Sequence, residues 1–297
     1  MMRLSHLISS RNWTPKLLEQ CARDCSAAGG KSLAVSQSML KAALDDSEIQ
    51  RTIARLPEHF GLRWLGMHSL WQGAWALNAV EATMRRTMLE NQKKILRYGA
   101  ELGVAVIVFH VGETIREGYS ALELHDALRR TLDELLPLAE KLHVTIALEN
   151  TIVLDDQPAA LRRIFECFPS PRLGCCFDSG HANLFERQRG KTLAMMPEGV
   201  NEILFRGQLK FHHGKMLSAL APWVVTAHLH DNHGTADEHL MPGAGNIDWP
   251  RLWDGLKSCP RLEFVQSEVN QPYPETDFAE LTRTFLRLSG GSGLELL

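Results

Sequence analysis

The sequence predicts an α/β protein with the (β/α)8 architecture of a TIM barrel, formed by a single domain. Short apolar runs alternate with longer segments of helical period, and eight strand–helix units can be counted. A chain of 297 residues has the length that such a barrel routinely requires. We place the barrel in residues 1–288 and expect the Gly- and Ser-rich end, residues 289–297, to form a flexible tail.

Each predicted strand is a short apolar run. The fourth is the clearest, because it is apolar throughout, as expected for a parallel strand that is covered on both faces. The predicted strands are residues 3–8, 32–36, 62–67, 104–109, 144–148, 173–177, 223–228 and 262–267.

The segments between these strands carry helix signals. Thr14 and Pro15 suit the start of the first helix, and Ser120 with Glu123 forms a capping box. Pro137 should bend the helix that this box begins. Further helices are predicted at residues 45–56, 80–102, 158–168 and 276–288. The segment 183–220 is longer than a usual crossover and suits a lid, an anion-binding insertion or a solvated connection.

Composition and charge argue against several classes of protein. Hydrophobic residues make up 44% and charged residues 23%, which is typical of a globular protein. The net charge of -3 gives no general attraction to nucleic acid or anionic membranes, although a local basic patch would not show in that number. No run approaches the roughly 20 apolar residues of a membrane span. Six cysteines fit reduced thiols better than a disulfide framework. We therefore expect a cytoplasmic protein with a small-molecule partner, and a homo-oligomer remains open.

The densest polar cluster follows the seventh predicted strand. Residues 226–249 read TAHLHDNHGTADEHLMPGAGNIDW and contain four histidines beside several carboxylates. Imidazole and carboxylate together suit zinc, manganese, iron or cobalt, whereas an all-oxygen set would favour magnesium or calcium. Taken alone, this stretch could also be a solvated loop that is rich in histidine.

Metal-type side chains also lie at the C-terminal ends of six predicted strands. They are His68, His110, Glu149, Asp178, His228 and Glu268. In a (β/α)8 barrel these ends converge on one mouth, where active sites form. A single polar residue at such a position is more often a satisfied buried group, but six in phase with the strands indicate a shared site. The sequence therefore predicts a site for at least one divalent metal.

The motifs around these residues resemble those of the xylose isomerase-like TIM-barrel superfamily. They are FHVG with His110, ALEN with Glu149, FDSGHAN with Asp178 and His181, HLHDN, DEHLMPGAGNIDW, and the terminal Glu268. The resemblance extends from His68 to Glu268, and the motifs are specific in combination. This superfamily contains sugar isomerases and epimerases and also endonuclease IV.

Resemblance to the isomerase and epimerase branch implies one divalent metal, which could be Mn, Zn, Co, Fe or Mg. The matching ligands are Glu149, Asp178, His228 and Glu268. The resemblance also implies that Glu149 and Glu268 pass a proton through an enediolate of a small sugar, polyol derivative or hydroxyketone. Metal polarisation makes the proton beside a carbonyl removable, and a carboxylate on each face can remove and return it. The lack of a lysine beside Glu149 disfavours a hydride shift. A dehydratase would use the same chemistry.

Resemblance to endonuclease IV implies a larger site with up to three metals. The additional matching residues are His68, His110, His181, Asp237 and His239. Clustered metals would clamp a phosphate and generate hydroxide for hydrolysis of abasic DNA or another phosphoester. The acidic net charge argues against nucleic acid as a partner, and the extra residues could instead bind substrate hydroxyls. A third class, a non-catalytic sugar- or metal-binding barrel, is disfavoured because both candidate acid/base glutamates are present.

Four more residues are candidates for substrate binding. Asn150, His230 and Asp231 adjoin the predicted ligands and could hydrogen bond a polyol. Trp71 follows His68 and could stack on a sugar ring, act as a wedge in DNA, or belong to the core. We predict a carbohydrate substrate for this pocket.

Overall fold

The apolar runs form eight parallel strands in the computed structural model, which describes residues 2–112, 118–151, 158–187, 216–290 and 294–295. The strands pair in chain order, and pairing of the second with the first closes the sheet. They are β1 (Met2–Leu7), β2 (Ser32–Val35), β3 (Arg63–His68), β4 (Val106–Phe109), β5 (Thr145–Glu149), β6 (Leu173–Asp178), β7 (Val224–Leu229) and β8 (Phe264–Ser267). The prediction of a single-domain (β/α)8 barrel is confirmed.

Helices follow the strands in the order that the barrel requires. They are α1 (Pro15–Ala27), α2 (Gln37–Asp45), α3 (Ser47–Phe60), α4 (Ala82–Glu101), α5 (Ala121–Leu142), α6 (Pro158–Cys167), α7 (Ser179–Arg187), α8 (Met216–Leu220), α9 (Trp249–Lys257) and α10 (Phe278–Leu288). Most of the segment 183–220, for which the sequence suggests a lid or insertion, lies outside the described residues. Within the described part of the chain, no helix is both long and apolar enough to cross a membrane.

Side-chain caps decide where several helices begin. Thr14 caps α1 and both bonds of the Ser120–Glu123 capping box are formed, so these signals are confirmed. Ser36, predicted as the last residue of a strand, instead caps α2 by accepting a hydrogen bond from the backbone N–H of Met39. The sequence analysis missed α2, because it assigned Ser36 to the strand and began the next helix at residue 45. The helix α5 continues through Pro137.

The hydrophobic core has two layers. A small cluster lies inside the barrel, and a larger one lies between the sheet and the helices. The inner cluster contains Leu65, Val106, Val108, Ala147, Cys176, Val225 and Phe264. Because alternate residues of a strand share one face, Glu149 lies above Ala147 and Asp178 lies above Cys176. The polar strand ends thus form the next layer of the barrel interior, and apolar packing supports them from below.

The end of the chain adds a short strand where the sequence predicts a flexible tail. Strand β9 (Leu294–Glu295) pairs in parallel with Met2 and Arg3 of β1. Leu294 is buried in the larger core cluster. An apolar side chain that packs on the core therefore gives part of residues 289–297 a defined position.

A buried histidine in β1 predicts a pH-dependent stability. Nδ1 of His6 lies 2.9 Å from Ser267 Oγ, Nε2 lies 3.2 Å from Thr282 Oγ1, and burial lowers its pKa to about 4. The unfolded chain, with an ordinary pKa near 6.5, then binds this proton more tightly than the folded chain does. We expect the contribution of His6 to the free energy of unfolding to be complete above pH 6.5 and to fall by about 3 kcal/mol towards pH 4.

The check is urea unfolding of the metal-free wild type and His6→Gln at several pH values. The variant lacks the titrating group, so between pH 6.5 and pH 4 it should lose less free energy of unfolding than the wild type. Parallel pH profiles of the two proteins would contradict the prediction.

Candidate active site and metal centre

A cavity of about 470 Å³ opens at the C-terminal ends of the strands. Seven of the nine predicted ligands line it: His68, His110, Glu149, His181, Asp237, His239 and Glu268. The other two, Asp178 and His228, are fully buried. Uncharged residues complete the wall, namely Leu7, Ser9, Ser36, Gln37, Ser38, Val269 and Asn270. The described part of the chain thus contributes no lysine or arginine to this wall.

Glu149, the last residue of β5, lies among four imidazoles. Its Oε2 is 3.4 Å from Nε2 of His68, 3.4 Å from Nε2 of His110 and 3.3 Å from Nδ1 of His228. Its Oε1 is 3.3 Å from Nδ1 of His181. The side chain is 1% exposed, and Oε2 has no partner in hydrogen-bond geometry despite these short distances. Four ring nitrogens and the Glu149 carboxylate therefore lie close together, but Oε2 forms no hydrogen bond with the nearby rings.

Both candidate acid/base residues lie beside the same nitrogen of His228. Its Nδ1 is 3.3 Å from Oε2 of Glu149 and 3.1 Å from Oε2 of Glu268. Both ring nitrogens of His228 and Oε2 of Glu268 are buried without a hydrogen-bond partner. Each unsatisfied buried group costs about 1–3 kcal/mol. A divalent cation would satisfy them, so this donor set fits the metal that the sequence predicts.

A second donor group adjoins the first. Oδ2 of Asp237 lies 3.3 Å from Nε2 of His181 and 3.2 Å from Nε2 of His239. Nδ1 of His181 lies 3.4 Å from Oδ1 of Asp178 and 3.3 Å from Glu149, so His181 connects the two groups. Asp178 also accepts a 2.7 Å hydrogen bond from the backbone N–H of His181, at the first turn of α7. All nine predicted ligands therefore belong to one continuous set of donors.

Backbone carbonyls orient two of these imidazoles. Nδ1 of His68 donates to the carbonyl of Ser69 at 2.9 Å, and Nδ1 of His239 donates to the carbonyl of Glu268 at 2.9 Å. The Nε2 atom of each ring is then the unprotonated nitrogen in the neutral form, as in ligating histidines. His239 also has a φ of 49°, a conformation that is uncommon outside glycine and often found at functional sites.

The metal-free site pairs ionised carboxylates with protonated imidazoles. Burial would raise the pKa of Glu149 and of Glu268, but the charges and hydrogen bonds of His228 and the other neighbouring histidines together outweigh burial and hold both pKa values below their usual range. Burial would lower the pKa of His239, but hydrogen bonding to Asp237 and the charge of Glu268 raise it to about 10. The pKa of His228 is also raised, because its interactions with Cys176, Glu268 and Glu149 together outweigh burial.

Three of the four residues predicted to bind substrate have structural contacts. Asn150, His230 and Asp231 are 0% exposed. Asn150 makes two hydrogen bonds with the backbone of Asp178, of 3.0 and 2.8 Å. The carboxylate of Asp231 accepts from four groups of the loop after β7, including Nε1 of Trp249 at 2.8 Å. Asn150 and Asp231 use their polar groups within the protein, whereas Nδ1 of His230 has no hydrogen-bond partner. These contacts favour structural roles, and substrate binding by the three residues stays a prediction.

Trp71 contacts His110, which lines the cavity, and stacking of Trp71 on a sugar ring stays a prediction. Its ring is half-buried and stacks on His110, with centroids 4.9 Å apart. The sequence analysis missed Gln37, Ser38 and Asn270, which contribute polar groups to the cavity wall. Gln37 and Ser38 follow β2 closely, so the rule that active sites form at strand C-termini could have found them.

The chain is similar to three solved structures across nearly its whole length. A D-tagatose 3-epimerase-like protein has 21% identity and a TM-score of 0.68, and covers 98% of this chain and 99% of its own. The IolI protein with a bound zinc atom has 16% identity and a TM-score of 0.69, with the same coverage. The 3-keto-D-glucoside 4-epimerase YcjR of E. coli has 16% identity and a TM-score of 0.67, and covers 98% and 100%. At these identities the likeness shows a shared fold.

Two curated relatives are more similar over a shorter region. The uncharacterized protein y4fM of Sinorhizobium fredii is 30% identical over 57% of this chain and 48% of its own length. The uncharacterized protein MJ1311 of Methanocaldococcus jannaschii is 31% identical over 59% of this chain and 54% of its own length. The matched region thus spans about half the length of each relative. The family model described as xylose isomerase-like TIM barrel matches residues 22–259. The chain belongs to the xylose isomerase-like TIM-barrel family.

Proposed function

We propose that this protein is a divalent-metal-dependent isomerase or epimerase of a small sugar, polyol derivative or hydroxyketone. The observation that carries the proposal is the position of two glutamates beside the same nitrogen of one imidazole. Glu149 and Glu268 each lie within 3.3 Å of Nδ1 of His228, and both line the cavity. A pair of carboxylates at the cavity can remove a proton from a carbon and return one to it.

The cavity supports a small, uncharged substrate. Its volume of about 470 Å³ is in the range of small-molecule sites. Hydroxyl and amide groups of Ser9, Ser36, Gln37, Ser38 and Asn270 contribute to its wall and can hydrogen bond a polyol. Proteins commonly bind a phosphate group through lysine or arginine side chains. The described wall residues include neither, so a substrate without phosphate is favoured.

The glutamates would move the proton. Imidazoles hold both carboxylates ionised, so one glutamate can accept the proton from the carbon beside the substrate carbonyl. The C–H electron pair then forms the enediolate, the second glutamate relays a proton from solvent to the carbon, and the first glutamate returns its proton to solvent. Glu149, Asp178, His228 and Glu268 would hold the metal, which supplies Lewis acidity that makes the first transfer easier.

The proteins of similar fold support this reaction class. The similar structures include a D-tagatose 3-epimerase-like protein and a 3-keto-D-glucoside 4-epimerase. The zinc in the IolI protein supports a metal requirement. Epimerisation beside a carbonyl is the reaction that two flanking carboxylates can perform without a further cofactor.

A multinuclear phosphodiesterase is the second candidate. The observation that favours it is the donor group of His181, Asp237 and His239, whose ligand atoms lie within 4.8 Å of one another. A mononuclear proton-transfer site does not need these residues. Together with Glu149, they would allow neighbouring metals to hold a phosphate and activate water.

Metal content separates the two candidates. Elemental mass spectrometry of protein purified without a histidine tag or chelator should give about one equivalent of divalent metal for the isomerase. About three equivalents, chiefly zinc, would favour the phosphodiesterase. The matched variant is Asp237→Asn, which should keep the isomerase metal but should remove zinc from a multinuclear site.

Turnover then tests the reaction class. Keto and aldo sugars, with and without phosphate, are incubated in D2O, and deuterium at the carbon beside the carbonyl reports proton transfer. Abasic DNA and small phosphodiesters are tested in parallel. Hydrolysis of a phosphodiester without exchange into any sugar would overturn the proposed function.

A further inference from the structure

His230 lies behind the cavity wall, in the HLHDN motif. It is 0% exposed and is not among the residues that line the cavity. Strand alternation would place it on the same face as His228, but β7 ends at Leu229, so the two-residue period no longer applies. Its surroundings must therefore be taken from its contacts.

The first contact is with the carboxylate of Asp178. Nε2 of His230 lies 3.1 Å from Oδ2 and 3.2 Å from Oδ1. An ionised carboxylate only accepts hydrogen bonds, so Nε2 is the donor. The backbone N–H of His181 donates to Oδ1 at 2.7 Å. Asp178 is thus held from two directions, and His230 is the side chain that contacts both of its oxygens.

The backbone and ring of His230 are themselves fixed. The hydroxyl of Ser179 donates to the carbonyl of His230 at 2.8 Å and accepts from its N–H at 3.1 Å. The ring stacks on His239, with centroids 3.8 Å apart and planes 11° apart. A Cβ at Gly180 would lie 2.0 Å from Cε1 of His230, so only glycine leaves room for the ring. Contacts on several sides define the position of this imidazole.

The buried ring also has an unsatisfied atom. Nδ1 of His230 has no hydrogen-bond partner, a cost of about 1–3 kcal/mol. An apolar side chain would avoid that cost, but it could not donate to Asp178. The contact with Asp178 therefore accounts for a polar residue at this position.

We propose that His230 is a positioning residue that holds the Asp178 carboxylate and the His239 ring in a fixed relation. Asp178 is one of the four predicted ligands of a single metal and His239 belongs to the second donor group, so His230 connects the two from behind. This inference rests on the proposed metal-dependent function, because it concerns how the metal donors are held. Hydrogen-bond partners of metal ligands commonly contribute about 10–100-fold to metal affinity.

The test is chelator competition on the cobalt-loaded protein, followed by metal per chain and by the visible cobalt spectrum. The amide nitrogen of glutamine can take the place of Nε2, whereas that of asparagine falls short of Asp178. His230→Asn should therefore weaken metal retention by about 10–100-fold and alter the spectrum. His230→Gln should recover most of that loss, because it restores the bond to Asp178 although it cannot restore the stacking on His239. Equal behaviour of the two variants would overturn the proposal.

A second variant tests the same contact without removing the imidazole. Gly180→Ala should displace the ring and weaken metal retention as His230→Asn does. In the double variant, the alanine should add little further loss, because the ring it displaces is absent. Full additivity of the two losses, or wild-type retention in Gly180→Ala, would contradict the inference.

Controls separate positioning from folding and from the proposed function. His6→Gln replaces another buried imidazole, which bonds to Ser267 and Thr282, and should retain metal like the wild type. Circular dichroism of the metal-free variants checks their fold. A wild type that retains no metal would overturn both the proposed function and this inference, whereas normal metal binding in His230→Asn would overturn only the inference.

Discussion

Glu268→Gln is expected to lower turnover by about 10²–10⁴-fold, the range of general acid–base catalysis. Glutamine keeps the shape of the side chain but cannot accept a proton from carbon at neutral pH. Glu268 is 18% exposed whereas Glu149 is 1% exposed, so Glu268 is the more accessible of the two carboxylates to a substrate in the cavity. Its loss should therefore affect the chemical step more than the fold.

The measurement is the rate of deuterium incorporation from D2O into whichever sugar the wild type turns over, together with metal per chain. Equal metal content in variant and wild type assigns the loss to proton transfer. Glu263→Gln is the matched control, because Glu263 lies just before β8, near the opposite end of the same strand, and pairs with Arg3 at 3.7 Å. Normal turnover in Glu268→Gln would rule out the acid/base assignment.

The barrel could be predicted because its signal is distributed along the chain. Apolar runs such as Val106–Phe109 are buried on both faces, so their composition alone identifies a parallel strand. Element ends were less predictable, because a single side chain decides them. Ser36 could extend a strand or cap a helix, and only the hydrogen bond to Met39 decides between the two.

The position of the donor set could be predicted from one geometric rule. Residues at the C-terminal ends of barrel strands converge, so His68, Glu149 and Asp178 were expected to lie together although they are far apart in sequence. His239 lies on a loop, where periodicity gives no position. The histidine-rich composition of residues 226–249 and the resemblance of the DEHL motif indicated it, but its place depends on a left-handed backbone conformation and a bond to the carbonyl of Glu268.

Neighbours of the predicted ligands were the hardest to interpret. β5 ends at Glu149, so the two-residue period gives no position for Asn150, and its place follows only from its two hydrogen bonds with the backbone of Asp178. The position of Asp231 likewise follows only from its contacts. Its partners include Gly243 and Trp249, which lie 12 and 18 residues further along the chain. Sequence alone does not show how the intervening loop folds back onto Asp231.

Metal affinity is expected to rise steeply with pH between pH 6 and pH 8. The metal-free site holds protons on imidazoles whose pKa values are raised: His239 to about 10, and His181 and His228 well above the usual value. A nitrogen must lose its proton before it can bind a metal. Raising the pH towards these pKa values removes the competing protons, so each proton released should strengthen binding by about tenfold per pH unit.

Isothermal titration calorimetry in buffers of different ionisation enthalpy counts these protons at pH 7. We expect the release of at least one proton per metal bound. Asp237→Asn removes the carboxylate whose hydrogen bond raises the pKa of His239, so less protonated His239 should remain and fewer protons should be released from the second donor group. Metal binding that is independent of pH and releases no proton would mean that the imidazoles are already neutral in the metal-free protein. The pairing of ionised carboxylates with protonated imidazoles would then be wrong, whereas the positions of the donors would still stand.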